Sequence, residues 1–426
     1  MRIDADWAAE LDRADPLARF RERFYLPAGG LYFDGNSLGL LSRDAEAAVL
    51  RTLDEWKTLG IEGWLSATNP WYYLGESLGE LSAPLVGATP DEVVVTGTTT
   101  TNLHALVATF FQPRDARRKI VATALDFPSD LYALRSQISL RGGDPEADLV
   151  LVGSRDGRTV DEDDLIAALD ETTALLLLPS VLYRSGQLFD LARLARAARE
   201  RDVIIGLDCC HSIGAIPHHF DEWGIDFACW CNYKYLNNGP GGTAGLYVNR
   251  RHFGRTPGLA GWWGSHKGRQ FDMATGFDAA PDAGAWQIST IQTLSAAPLH
   301  GSLAIFAEAG IAAVREKSLH LTRYLIDLLE ASGLTAAPYG YGIGTPREDV
   351  RRGGHVAVEH AEGPQIVKAL KTRGVVPDFR PPNVIRLAPI ALYTSYSDVW
   401  QLVQHLRAII DGGEHRAFAA TRDLVA

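Results

Sequence analysis

Short apolar runs and longer stretches of helical period alternate through the middle of the chain. Aliphatic runs at 93–95, 119–122, 149–152, 175–178 and 203–207 predict strands. Stretches at about 100–111, 129–140, 161–169 and 191–201 predict helices between them. Strands that are apolar at consecutive positions are covered on both faces. Interleaved with helices, they predict an α/β fold built on a mostly parallel sheet. Ligands of such sheets sit at the carboxyl ends of the strands. Chemistry is therefore expected at 97–101, 126–130, 179–186 and 208–211.

The pattern changes near residue 298. Long helical stretches at 299–309 and 312–329 are followed by strand-like 356–358 and 384–387 and by helices at 366–371 and 399–410. This predicts a smaller α+β domain over 298–426 and a large domain over 61–297. The N-terminal segment 1–60 is expected to pack with the small one. A length of 426 residues suits two or three such units.

Composition is that of an ordinary globular protein, with 46% hydrophobic and 22% charged residues, so no part needs to be read as disordered. A net charge of −11 argues against nucleic acid as a partner. The apolar runs, such as 174–178, fall far short of a membrane span. Residues 1–10 carry charges and lack the apolar run of a secretory signal, so the expected location is the cytoplasm. Four cysteines, Cys209, Cys210, Cys229 and Cys231, crowd into one short stretch. A disulfide framework would spread them out. Adjacent Cys209 and Cys210 do not form a CxxC ligand pair, so despite His211 nearby no metal is expected. Reduced thiols packed on buried strands fit better.

The residues with chemistry to offer begin at the end of the 203–207 strand, which delivers Asp208 and then His211. Further on, a strand leads into Asn232-Tyr233-Lys234-Tyr235, with Gly239-Pro240-Gly241-Gly242 behind it. A pyridoxal phosphate (PLP) enzyme needs a lysine to hold the aldehyde as a Schiff base and a carboxylate to keep the ring nitrogen protonated. Either residue alone would be read as a cap or a surface group. Together, both at strand ends, they point to PLP on Lys234. The strand at 93–95 runs into Gly97-Thr98-Thr99-Thr100-Thr101, where a helix begins. Free amides and threonine hydroxyls there suit a phosphate, although threonine also caps helices for its own sake. Phe127 follows the next strand and could lie on the cofactor face. Arg386 sits between Val384-Ile385 and Leu387-Ala388, and its planar fork matches an amino-acid carboxylate.

With these stretches in order, the chain resembles the kynureninases of the aspartate-aminotransferase-like (fold type I) PLP superfamily. The resemblance runs from Gly35-Asn-Ser-Leu-Gly39 to Arg386-Leu-Ala-Pro389. It includes Phe127-Pro-Ser-Asp130, Tyr183-Arg-Ser-Gly186, Asp208-x-x-His211, Tyr233-Lys-Tyr-Leu-Asn237 and Gly261-Trp-Trp-Gly264. It implies hydrolysis of L-kynurenine to anthranilate and L-alanine, in tryptophan catabolism or a related biosynthetic pathway. It implies that Lys234, Tyr233 and Asp208 are catalytic. Thr99, Thr100, Phe127, Asp130, His211, Trp262 and Thr290 would complete the cofactor site. Ser37, Trp64, Trp263, Ser289 and Arg386 would hold the substrate. Trp262 and Thr290 would come from a second subunit, so a homodimer with shared active sites is implied.

The chain departs from the family at Pro179, where a serine or threonine commonly stands, at Leu182, and in an extra residue at Ser265. Trp64 stands where the animal enzymes carry a histidine, and Thr290 where they carry an asparagine. These two imply a preference for kynurenine over 3-hydroxykynurenine, because an added hydroxyl finds fewer partners. Lys234 and Asp208 are shared by aminotransferases, epimerases and β-lyases, which stay open as alternatives on those residues alone. A cysteine desulfurase would need a mobile thiol in the C-terminal half, and no cysteine follows Cys231.

Overall fold

A computed structural model describes residues 2–423. Seven strands form the main sheet: β1 Val93–Val95, β2 Lys119–Thr123, β3 Leu149–Val152, β4 Thr173–Pro179, β5 Ile204–Asp208, β6 Phe227–Trp230 and β7 Gly245–Val248. Their order is β1-β7-β6-β5-β4-β2-β3. All neighbours are parallel except those of β7, which runs antiparallel to β1 and β6. The aliphatic runs give β1 to β5 within a few residues of expectation. The antiparallel β7 has no apolar run that sets it apart, and its direction is fixed by pairing between two buried neighbours.

The helices of ten or more residues are α1 Ala5–Ala14, α2 Arg43–Leu59, α3 Leu74–Val86, α4 Thr99–Phe110, α5 Pro128–Leu140, α6 Leu191–Glu200, α7 Thr293–Ala309, α8 Ile311–Ala331, α9 Gly363–Thr372 and α10 Tyr396–Asp411. Successive strand residues face opposite sides, and the two cores show it. Val93, Val95, Leu176, Leu178, Ile205 and Leu207 pack with Leu191 and Leu194 of α6 and with Leu299, Leu303 and Phe306 of α7. Val94, Leu175, Leu177, Phe227 and Leu246 pack on the other face with Leu103, Leu106 and Phe110 of α4 and Leu134 and Ile138 of α5.

Four short strands form a second, antiparallel sheet: β8 Gly342–Ile343, β9 Val356–Glu359, β10 Asp378–Arg380 and β11 Val384–Leu387, in the order β10-β11-β9-β8. It has its own core with α8, α9 and α10, joined by Ala8 of α1 and by Phe33. Leu31–Tyr32 also pairs with Val375–Val376. The rest of the N-terminal segment behaves differently. Phe20 and Phe24 enter the core of the large sheet, and α2 lies along α7. Helix α7 starts five residues before Pro298 rather than after it. Pro298 is the sixth residue of the helix, inside it, where its missing N–H removes one backbone hydrogen bond. At Gly310 (φ +77°) the chain bends by 82° into α8. No single described helix is long and apolar enough to cross a membrane.

Candidate active site

The carboxyl ends of β4, β5 and β6, the start of α4 and the start of α5 converge on a cavity of ≈ 360 Å³. Lys234, four residues past β6, lines it. Its Nζ lies 3.0 Å from His211 Nε2. Burial, with the Lys234 and Arg386 charges, holds the His211 imidazole well below its usual range and so neutral. The other ring nitrogen of His211, Nδ1, is buried and without a hydrogen-bond partner.

The turn that carries Lys234 is pinned from outside. Gly39 donates its N–H to Tyr233 O at 2.8 Å. A Cβ on Gly39 would meet Lys234 O at 2.3 Å and Asn237 Oδ1 at 2.2 Å, so only glycine permits this contact. The 35–39 motif therefore acts through the backbone as well as through Ser37.

Asp208 ends β5, buried, and accepts from the Cys210 N–H at 2.7 Å. Asp130, in the first turn of α5, faces it. Burial, with the Asp208 and Asp126 charges, raises the Asp130 carboxyl well above the usual range. Asp130 thus holds its proton where it faces Asp208. Asp126 is raised to about 7 by burial, although Thr123 donates to it from both backbone and hydroxyl. Tyr233 also lines the cavity, and burial with the Cys231 and Cys210 thiols raises its phenol and keeps it protonated.

Gly97 turns the chain from β1 toward α4 with φ +54°, and Asn102 Nδ2 donates to Thr96 O at 2.8 Å to hold the turn. No side chain caps the first turn of α4, and Thr99 and Thr100 of that turn line the cavity. Phe127, 42% exposed, stands edge-on to Tyr183 at 5.2 Å. Arg386 and Ser37 close the opposite wall. Arg386 donates to Tyr183 O at 2.7 Å and to Ser37 Oγ at 3.1 Å, and pairs with Asp378.

Ten of the fifteen expected residues thus line one cavity: Ser37, Thr99, Thr100, Phe127, Asp130, Asp208, His211, Tyr233, Lys234 and Arg386. Trp64, Trp262, Trp263, Ser289 and Thr290 do not. They gather elsewhere on the same chain. Trp263 packs 5.6 Å from Trp64, with Lys267 Nζ 4.0 Å from its ring centroid. The 261–264 segment crosses 285–290 so closely that a Cβ on Gly261 would meet Ile288 O at 1.9 Å. Trp262 lines a separate cavity of ≈ 430 Å³ with His266 and Phe277. Of the departures noted above, Pro179 lines the lysine cavity, Leu182 is buried in the core, and Ser265 lines the Trp262 cavity.

Sequence reasoning missed Asn36, Tyr183, Cys210 and Arg380, all of which line the lysine cavity. Cys210 lies between Asp208 and His211, so its position was a signal. Its Sγ accepts from the Cys231 N–H at 3.2 Å and lies 3.9 Å from Thr99 Oγ1. Arg380 is on a three-residue strand, DFR, with no apolar period to mark it.

Comparison with known proteins gives one consistent picture. A family profile described as the kynureninase C-terminal domain matches residues 314–406. A kynureninase of Bacillus thuringiensis is 56% identical over 421 residues, covering 99% of this chain and 98% of that protein. One of Geobacillus thermodenitrificans is 55% identical over the same span and coverage. Among solved structures, a cysteine desulfurase of Thermococcus onnurineus superposes with a TM-score of 0.75 at 17% identity, covering 97% of this chain and 99% of its own. One of Escherichia coli superposes with a TM-score of 0.76 at 20% identity, covering 93% and 98%. At that identity the likeness shows the shared fold.

Proposed function

This chain belongs to the kynureninase family, and on that premise we infer how its own residues carry the family's reaction. The protein hydrolyses L-kynurenine at the Cβ–Cγ bond, giving anthranilate and L-alanine, with PLP as cofactor. The cavity fits that cofactor. Lys234 is the only amine among the described residues that line it. Asp208 offers an anion for the ring nitrogen, and the uncapped start of α4 offers free amides and hydroxyls for a phosphate. The buried Nδ1 of His211, without a hydrogen-bond partner, is one more polar atom that a bound group would satisfy.

When bound, PLP supplies the electron sink that stabilises negative charge at substrate Cα and later at Cβ. Asp208 keeps a proton at the ring nitrogen, and Asp130, holding its own proton, prevents a second negative charge there. Lys234 anchors the cofactor and moves the proton at substrate Cα. Arg386 and Ser37 hold the α-carboxylate end. Water adds to the γ-carbonyl carbon, the Cβ–Cγ bond breaks, and anthranilate leaves with the water oxygen. Tyr233, kept protonated by its burial, donates the proton that Cβ needs to become the alanine methyl.

The observation that carries this reading is the Lys234 amine beside neutral His211, in a cavity whose far side is the Asp208–Asp130 pair. Lys234→Ala tests it. The purified variant is expected to lose both turnover and the borohydride-reducible aldimine band. A variant that keeps either would place the anchor on another lysine.

The aromatic residues that stand apart from the cavity support a homodimer in which one subunit's Trp262 and Thr290 reach the other's lysine cavity. Exposed apolar side chains on α2 and just after it, Leu50, Leu53, Trp56, Ile61 and Leu65, together with the exposed Trp262–Phe271 pair, give such a dimer apolar surface to bury. Trp64 and Thr290 support a preference for kynurenine over 3-hydroxykynurenine, and kcat/KM for the two substrates on one preparation tests it. We also divide the chain into a large domain and a smaller C-terminal one that α1 and Phe33 join. The separate core of the second sheet supports this, and the bend at Gly310 makes that residue a better boundary than 298.

A further inference from the structure

Arg386 is 1% exposed and the aspartate against it, Asp378, is 0% exposed. They face each other across the antiparallel β10–β11 pair, in direct register. Side chains of opposed residues share a face of the sheet. One oxygen of Asp378, Oδ2, meets both Nε and Nη2 of Arg386. The other, Oδ1, accepts from Arg380 Nη1 at 2.8 Å. The carboxylate therefore bridges two guanidinium groups that both line the lysine cavity.

A guanidinium can meet a carboxylate in two bidentate ways, along its Nε/Nη2 edge or along its Nη1/Nη2 edge. Asp378 fills the first. On the second, Nη1 gives one N–H to Tyr183 O at 2.7 Å and keeps another, while Nη2 rests its remaining N–H on Ser37 Oγ at 3.1 Å. Ser37 accepts that bond, and its own hydroxyl has the Asp34 carboxyl as a partner. We propose that Asp378 is a positioning residue that selects the Nη1/Nη2 edge of Arg386, with Ser37 beside it, as the face presented to a ligand's α-carboxylate. This rests on the reading above that Arg386 holds that carboxylate.

The role predicts a pattern that a merely structural one does not. Without the Asp378 charge, the guanidinium is free to offer either edge, and the carboxylate it binds loses its fixed orientation. A purely electrostatic view gives the opposite sign, since deleting a nearby negative charge should tighten an anion. Asp378→Asn, assayed as holoenzyme, decides between them. We expect KM for L-kynurenine to rise roughly tenfold, the loss of one charged hydrogen-bonded contact. We expect kcat to stay within about threefold, as for a lost binding contact. The inhibition constant of the decarboxylated amine of kynurenine, which has no carboxylate to orient, should not change. In an Arg386→Lys background the effect of Asp378→Asn should shrink, leaving only the part that acts through Arg380.

An unchanged or lower KM in Asp378→Asn, or an equal loss for the amine, overturns the proposal. If Asp378→Asn does not accumulate with cofactor bound, Asp378→Glu keeps the charge but shifts the carboxylate by one methylene, and the same ratio of acid to amine decides. The two readings fail separately. If Arg386→Lys leaves KM unchanged, Arg386 does not hold the carboxylate. If Arg386→Lys raises KM and Asp378→Asn does not, only the positioning role falls.

Discussion

Carboxyl groups that face each other in a buried site cannot all be ionised, and the division of labour between Asp208 and Asp130 follows from that. Asp208→Asn keeps the shape and the bond from the Cys210 N–H while removing the charge. The variant should fold and bind cofactor but turn over at least about a hundredfold more slowly, the scale on which placed proton and charge partners act. A wild-type kcat would reject Asp208 as the partner of the ring nitrogen. Arg386→Ala should weaken L-kynurenine binding tenfold to hundredfold, as expected for a charged contact of about 1.5–3 kcal/mol. It should also lower the melting temperature, because Asp378 is left buried with only Arg380 for company. Equal KM values would mean that the carboxylate is held elsewhere. Lys234, Asp208 and Arg386 were legible in the sequence because each stands at or next to an apolar strand. Asp378 was not. In a linear reading, a charged residue in the polar Pro-Asp-Phe-Arg run looks like a solvated loop, and only the register of β10 with β11 turns it into a buried counterion.

At the level of elements, the phosphate end of the site depends on one turn. Gly97 has φ +54°, and a Cβ there would meet Asn102 Oδ1 at 2.4 Å, the side chain that ties the turn to Thr96. Gly97→Ala combines left-handed strain of about 1–2 kcal/mol with displacement of that amide. Cofactor titration should show its dissociation constant raised roughly tenfold, as that energy implies. Affinity equal to wild type would show that the start of α4 does not depend on this turn. The Gly-Thr run after β1 made this cradle visible in advance, because a β-branched strand followed by glycine and threonines marks a strand-to-helix turn. Helix α2 and strand β7 were not visible as such. The outward face of α2 carries Leu50, Leu53 and Trp56, which blurs the amphipathic period that a helix covered on one side alone would show.

Ten of the expected residues line the Lys234 cavity and five do not, and a shared site would account for two of those five, Trp262 and Thr290. The sequence could not resolve it, since a residue that belongs to a partner's cavity looks no different along the chain from one that belongs to its own. Sedimentation at micromolar concentration should give a dimer. Mixing inactive Lys234→Ala with a variant of Trp262 that is inactive alone should restore part of the activity, because hybrid dimers contain one intact site. Full activity in a monomer, or no restoration in demonstrated hybrids, would remove the shared-site reading.

The Lys234 cavity is a site of carbon–carbon bond hydrolysis. The most direct test of this is the release of anthranilate and alanine from L-kynurenine by the purified, cofactor-loaded protein. The account predicts the two products in equal amounts, formed at a steady rate. Loaded protein that yields no anthranilate, or that yields it without alanine, would contradict it.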